Sequence, residues 1–149
     1  MDRRRFLLTS LASALAAPLA STAQQPGKAV RIGMLGGGTP AAGQPHWDEF
    51  RKGLAALGYK EGLDVILEYR WAEGRAERLP ELAAELAKSQ VRVIVAGGSA
   101  ALAAARNATS VIPIVMVHVG DPVSAGQVAS LARPGGNITG LSTTIGPEL

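Results

Sequence analysis

The sequence predicts an α/β domain, an open parallel sheet of about five strands flanked by helices. Short aliphatic runs rich in Val and Ile alternate with stretches whose apolar residues recur at three- and four-residue steps. Several of the aliphatic runs end in loops that carry glycine. Of 149 residues, 47% are hydrophobic and only 4% aromatic. Such a composition suits close packing of helices on a sheet and suffices for the core of one domain. Strands that alternate with helices at this spacing pair in parallel through right-handed crossovers.

Each element has its own signal. Residues 30–35 form a β-branched and aliphatic run ending in glycine, a buried strand. Over residues 46–58, Trp47, Phe50, Leu54 and Leu57 share one helical face and Gly58 stops the helix. Residues 64–71 alternate, with Val65, Leu67, Tyr69 and Trp71 on one side and Glu68 and Arg70 on the other, as in a strand near a sheet edge. A helix over 77–89 places Leu79, Leu82, Ala83 and Leu86 inward, and its Pro80 fits only the first turn. A third strand is expected over 91–96, an alanine-rich helix over 99–107 and a strongly apolar fourth strand over 112–119. A short fourth helix over 122–131 follows, and "RPGGNITGLS" places a turn before a fifth strand at 137–141.

The first residues read as an address. "MDRRRFLLTS" carries the Arg3–Arg4 pair with Phe6 and Leu7 beyond it, similar to the twin-arginine export signal. About 14 apolar residues follow, short of the roughly 20 that span a bilayer. Ser21 and Ala23 stand at the two small-residue positions of a cleavage site, so cleavage after Ala23 and a periplasmic location are expected. Residues 24–29 form a short linker, and residues 30–142 the lobe. The formal charge of +3 belongs mostly to the leader, because without residues 1–23 twelve basic side chains face eleven acidic ones. That balance, with no basic face interleaved by aromatics, points away from nucleic acid. The chain has no cysteine, so disulfide and thiol chemistry are closed to it.

In parallel sheets ligands bind outside the carboxyl ends of the strands. Those ends read "GGGTP", "GGS" and "VGDP". Gly36, Gly38 and Ala41 satisfy G-x-G-x-x-A, and Glu73 stands where a ribose-binding acid is expected, so a dinucleotide site is one reading. Against it, Pro40, Gly43 and Pro45 interrupt the segment, and the helical pattern begins only near His46. No G-K-[ST] phosphate loop is present. Ser99 lacks the G-x-S-x-G elbow and reads as a helix N-cap. His46 and His118 are the two histidines. No metal-ligand spacing surrounds them, and His118 reads as a core or strand-end residue. Asp121 either caps the next helix or serves a cationic ligand group.

From Val30 to Ser142 the chain resembles the N-terminal lobe of periplasmic substrate-binding proteins of ABC transporters, in the family similar to tryptophan-uptake binding proteins. The segments that carry the resemblance are "RIGML", "FRKGLAALGYKEGLDVILEYRWAEGRAERLPELAAELA" and "IPIVMVHVGDPVSAGQVASLARPGGNITGLS", with the alanine-rich helix between. The resemblance implies a type I binding-protein lobe, no catalysis and no cofactor. It also implies an amino-acid-like ligand held between two lobes and an ABC permease in the inner membrane as partner. The ligand contacts carried over are Gly37, Gly38 and Thr39, then Gly98 and Ser99, then Asp121. Amides at a helix start suit a carboxylate, and Asp121 suits an ammonium. Two departures stand out. Gly98, Ser99 and Ala100 replace the family's hydroxyl residue followed by proline, and the second lobe is expected to be absent, with residues 143–149 beginning the hinge. An exported Rossmann-like oxidoreductase and a gene fragment without independent function are the alternative readings.

Overall fold

The computed structural model describes residues 28–143. The expected leader over 1–23 and the segment 144–149 lie outside the described residues. Five strands and three α-helices follow one another: β1 (Val30–Gly36), α1 (Pro40–Ala56), β2 (Val65–Trp71), α2 (Leu79–Lys88), β3 (Val93–Gly97), α3 (Ser99–Ala108), β4 (Ile114–Val119) and β5 (Ile138–Ser142). A single 3-10 turn, Ala76–Arg78, leads into α2. All strand pairings are parallel, in the order β2-β1-β3-β4-β5. The chain therefore moves outward from β1 to β2 and then crosses back to β3. In such sheets the reversal opens a crevice between the carboxyl ends of the first and third strands.

The two-residue period of the strands sorts side chains between two cores. Ile32, Met34 and Val95 face α1 and meet Trp47. Leu35, Ile94, Ala96, Ile114 and Met116 point the other way and pack with the leucines of α2 and with Leu102 of α3. On α2 the buried residues are Leu79, Leu82, Ala83 and Leu86, the face its spacing predicts. Each buried leucine contributes roughly 1.5–3 kcal/mol. Leu86 lies so close to β1 that a Cβ on Gly33 would stand 3.1 Å from its Cδ2. Arg70 Nε donates to Glu85 at 2.8 Å, which ties edge strand β2 to α2.

Four expectations need correction. Helix α1 begins at Pro40, not near His46. Thr39 caps it, its hydroxyl accepting from Ala42 N at 3.3 Å. Pro40 occupies the first turn, where no amide donor is needed. Pro45 lies inside the helix and removes only the bond to Ala41, so the segment is a helix start rather than a loose loop. Residues 122–131 form no helix. One turn closes there, with Gln127 N donating to Pro122 O at 2.8 Å, and Gly126 at φ +66° ends it. Finally, Gly98 rather than Ser99 is the N-cap of α3, at φ +90° with no side-chain cap bond, and Ser99 is the first helical residue. Strand β3 also starts two residues later than expected.

Candidate functional site

A cavity of about 380 Å³ lies at the carboxyl edge of the sheet. Its floor is glycine: Gly36, Gly37 and Gly38 after β1, Gly97 and Gly98 at the end of β3. Its wall is aromatic, from Trp47 and Phe50 of α1 and Trp71 at the end of β2. Trp47 meets Trp71 at 5.7 Å between centroids and Phe50 at 6.5 Å, both edge-on, while Trp71 stacks on Tyr69 at 6.0 Å. Such offset and T-shaped pairs are the favoured aromatic geometries.

Two glycines make room for this wall. A Cβ on Gly43 would stand 2.6 Å from Trp71 Cη2 and 2.7 Å from Trp47 Nε1, and one on Gly36 would stand 2.6 Å from Trp71 Cζ3. Trp47 is 7% exposed, and its indole N–H finds no acceptor among the described residues. Gly37 and Gly38 leave open space where side chains would be. Their carbonyls accept from Gly74 N at 2.9 Å and Glu73 N at 3.0 Å, so the glycine loop is tied to the connection that follows β2. The Glu73 carboxylate pairs with Arg78 at 3.2 Å and Arg75 at 3.7 Å. A ribose hydroxyl at Glu73 would compete with both.

His46 of α1 and His118 of β4 also line the cavity, with ring centroids 4.5 Å apart and planes tilted by 49°. His118 has φ +51°, uncommon outside glycine, and stands where the β4–β5 register shifts between Met116 and Val119. Neither histidine was selected from the sequence. Each looks isolated along the chain, and only the fold brings them together.

The sequence-derived candidates divide. Gly37, Gly38 and Gly98 line the cavity, whereas Thr39, Ser99 and Asp121 do not. Thr39 is engaged as the α1 cap, and the Ser99 carbonyl accepts from Gln127 Nε2 at 2.8 Å. The Asp121 carboxylate accepts from Ser124 N at 3.0 Å, Val123 N at 3.2 Å and the Ser124 hydroxyl. The Ser124 hydroxyl, then the Ser124 amide, hold this carboxyl below the usual carboxylate range. A second hollow of about 390 Å³ lies near the start of β2, lined by Arg51, Leu54, Tyr59 and Val65 among others, away from the glycine loops. Among the described residues no helix is long and apolar enough to cross a membrane.

Residues 43–147 match the family described as ABC transporter substrate binding protein. The tyrosine-binding protein of Clostridioides difficile strain R20291 is 38% identical over 93 residues, covering 62% of this chain and 27% of that protein. Among solved structures, an ABC domain in complex with L-Trp from Streptococcus pneumoniae superposes with a TM-score of 0.71 at 27% identity, over 77% of this chain. A ligand-free, open substrate-binding protein with adhesive properties from Clostridium difficile gives 0.73 at 30% identity over 78% of this chain. In both solved structures the match covers 39% of the other chain, so this chain spans well under half the length of these relatives.

Proposed function

This chain belongs to the family of ABC transporter substrate-binding proteins, and from that premise we propose that it captures an amino-acid-like molecule at the carboxyl edge of its sheet, as the solute-binding component of an uptake system. The carrying observation is the cavity itself, with a glycine floor and an aromatic wall at the point where the strand order reverses. An indole or phenol ring matches a wall of Trp47, Phe50 and Trp71. Amides of Gly37 and Gly38 serve its polar end, with Thr39 and Ser99 at the adjoining helix starts; the Gly98 amide is already given to Val117 O at 2.9 Å. The Asp121 carboxylate accepts from Ser124 and Val123 outside the cavity lining, so the ammonium is not assigned to it. The function is binding without turnover, in the periplasm after removal of residues 1–23, with an ABC permease as the receiving partner.

Relatives that bind tryptophan and tyrosine support the ligand class. A thermal-shift series with L-tryptophan, L-tyrosine, other amino acids and NAD tests it. The expected result is a rise in Tm with an aromatic amino acid, since a ligand at about a hundredfold its Kd stabilises by roughly 2.7 kcal/mol. A rise with NAD and none with any amino acid would overturn the reading in favour of an exported dinucleotide-binding protein.

A further inference from the structure

We propose that His46 and His118 form a clamp for the carboxylate of the captured molecule, both rings donating to it, and take up a proton as it binds; this rests on the reading above. The two rings come from separate elements, α1 and β4, and meet side by side at 4.5 Å in the lining of one cavity. Both residues are exposed, and neither imidazole has a hydrogen bond or ion pair among the described residues, so their nitrogens are free for a ligand. Among the described residues that line the cavity, they are the two side chains that can carry positive charge. The rest of its lining is glycine, alanine, valine and aromatic, without a lysine, arginine or carboxylate.

Nearby acids are engaged elsewhere. On α1, Asp48 pairs with Arg51 at 3.3 Å and Glu49 with Lys52 at 2.7 Å. After β2, Glu73 pairs with Arg75 and Arg78, and after β4, Asp121 is held by its own turn. β1, β3 and the start of α3 contribute no titratable side chain to the lining. An anion entering here therefore meets neutral or protonated imidazole and nothing else that can match its charge. Two imidazolium rings this close repel unless an anion lies with them, and a carboxylate removes that repulsion. The residue after His46 on α1, Trp47, lines the same wall with its indole N–H buried and unpartnered among the described residues. Binding a carboxylate thus favours protonated histidine, and by linkage affinity rises as pH falls, by up to about tenfold per pH unit for one proton.

The test follows the two imidazole Cε1–H signals of the full chain by NMR while L-tryptophan, indole-3-acetate or tryptamine is added, from about pH 8 to about pH 6. Both carboxylates should shift both signals saturably and bind more tightly at the lower pH, whereas tryptamine, which lacks the carboxylate, should bind about tenfold or more weakly. His46→Gln and His118→Gln should each lose that preference and the pH slope. If either variant fails to fold, the wild-type pH slope and the discrimination against tryptamine decide. L-tryptophan binding alike to wild type and variants, without a pH slope, overturns the clamp and leaves the amino-acid reading standing. Engagement of indole-3-acetate by both histidines, with no amino acid bound, keeps the clamp and overturns that reading. Silence of both signals toward every probe overturns the clamp.

Discussion

Asp121 sits two residues beyond the last residue of β4, at the edge where ligands bind, yet its carboxylate is engaged within its own turn by Ser124 and Val123. Its lowered pKa comes first from the Ser124 hydroxyl. A carboxyl whose pKa is depressed on folding stabilises the folded chain above its unfolded value of about 3.9, and that contribution disappears as pH falls through the folded value. Ser124→Ala should raise the Asp121 pKa toward the ordinary range and weaken the fold at neutral pH, with the difference vanishing in acid. An NMR titration of the Asp121 carboxyl carbon, beside urea melts at neutral and acid pH, reads both effects. An unchanged pKa in the variant would mean that the backbone amides alone hold the charge.

At the scale of the element, α1 holds most of what sequence reading gets wrong. Its buried stripe is legible because Trp47, Phe50 and Leu54 recur at helical spacing and all pack on the sheet. Its start is not legible. Two prolines and a glycine within six residues look like a broken segment, but Pro40 falls in the first turn and Pro45 costs one backbone bond. The missing helix over 122–131 fails for a matching reason, since Asp121 and Pro122 are good starters and only the glycine at 126, in left-handed geometry, ends the turn. Glycines inside α1 separate packing from propensity. Gly43→Ala places a methyl against Trp71 and Trp47 and should cost about 1–3 kcal/mol. Gly53→Ala meets nothing within 4 Å and should gain about 0.5–1 kcal/mol. Opposite signs in denaturant melts are expected, and equal shifts would refute the tight Gly43–tryptophan contact.

For the whole molecule, the parallel sheet and its carboxyl edge follow from alternating periodicities, so the glycine loops that line the cavity are readable in advance, whereas the strand order is not. The aromatic wall and the histidine pair are not, because Trp71 and Trp47, and His46 and His118, come from elements that only the crossovers bring together. That assembly has a measurable consequence. The chain has two tryptophans, and both line the cavity. Trp47 also belongs to the core under α1, so occupancy and folding report through one chromophore. Excited where tyrosine does not absorb, the emission should change saturably as L-tyrosine is added and stay constant with glycine. Trp47→Phe and Trp71→Phe should each remove part of the change, and the Kd should agree with the one drawn from ligand-dependent Tm. A tyrosine that raises Tm without altering the emission would place the ligand away from this wall, because both indoles line the cavity.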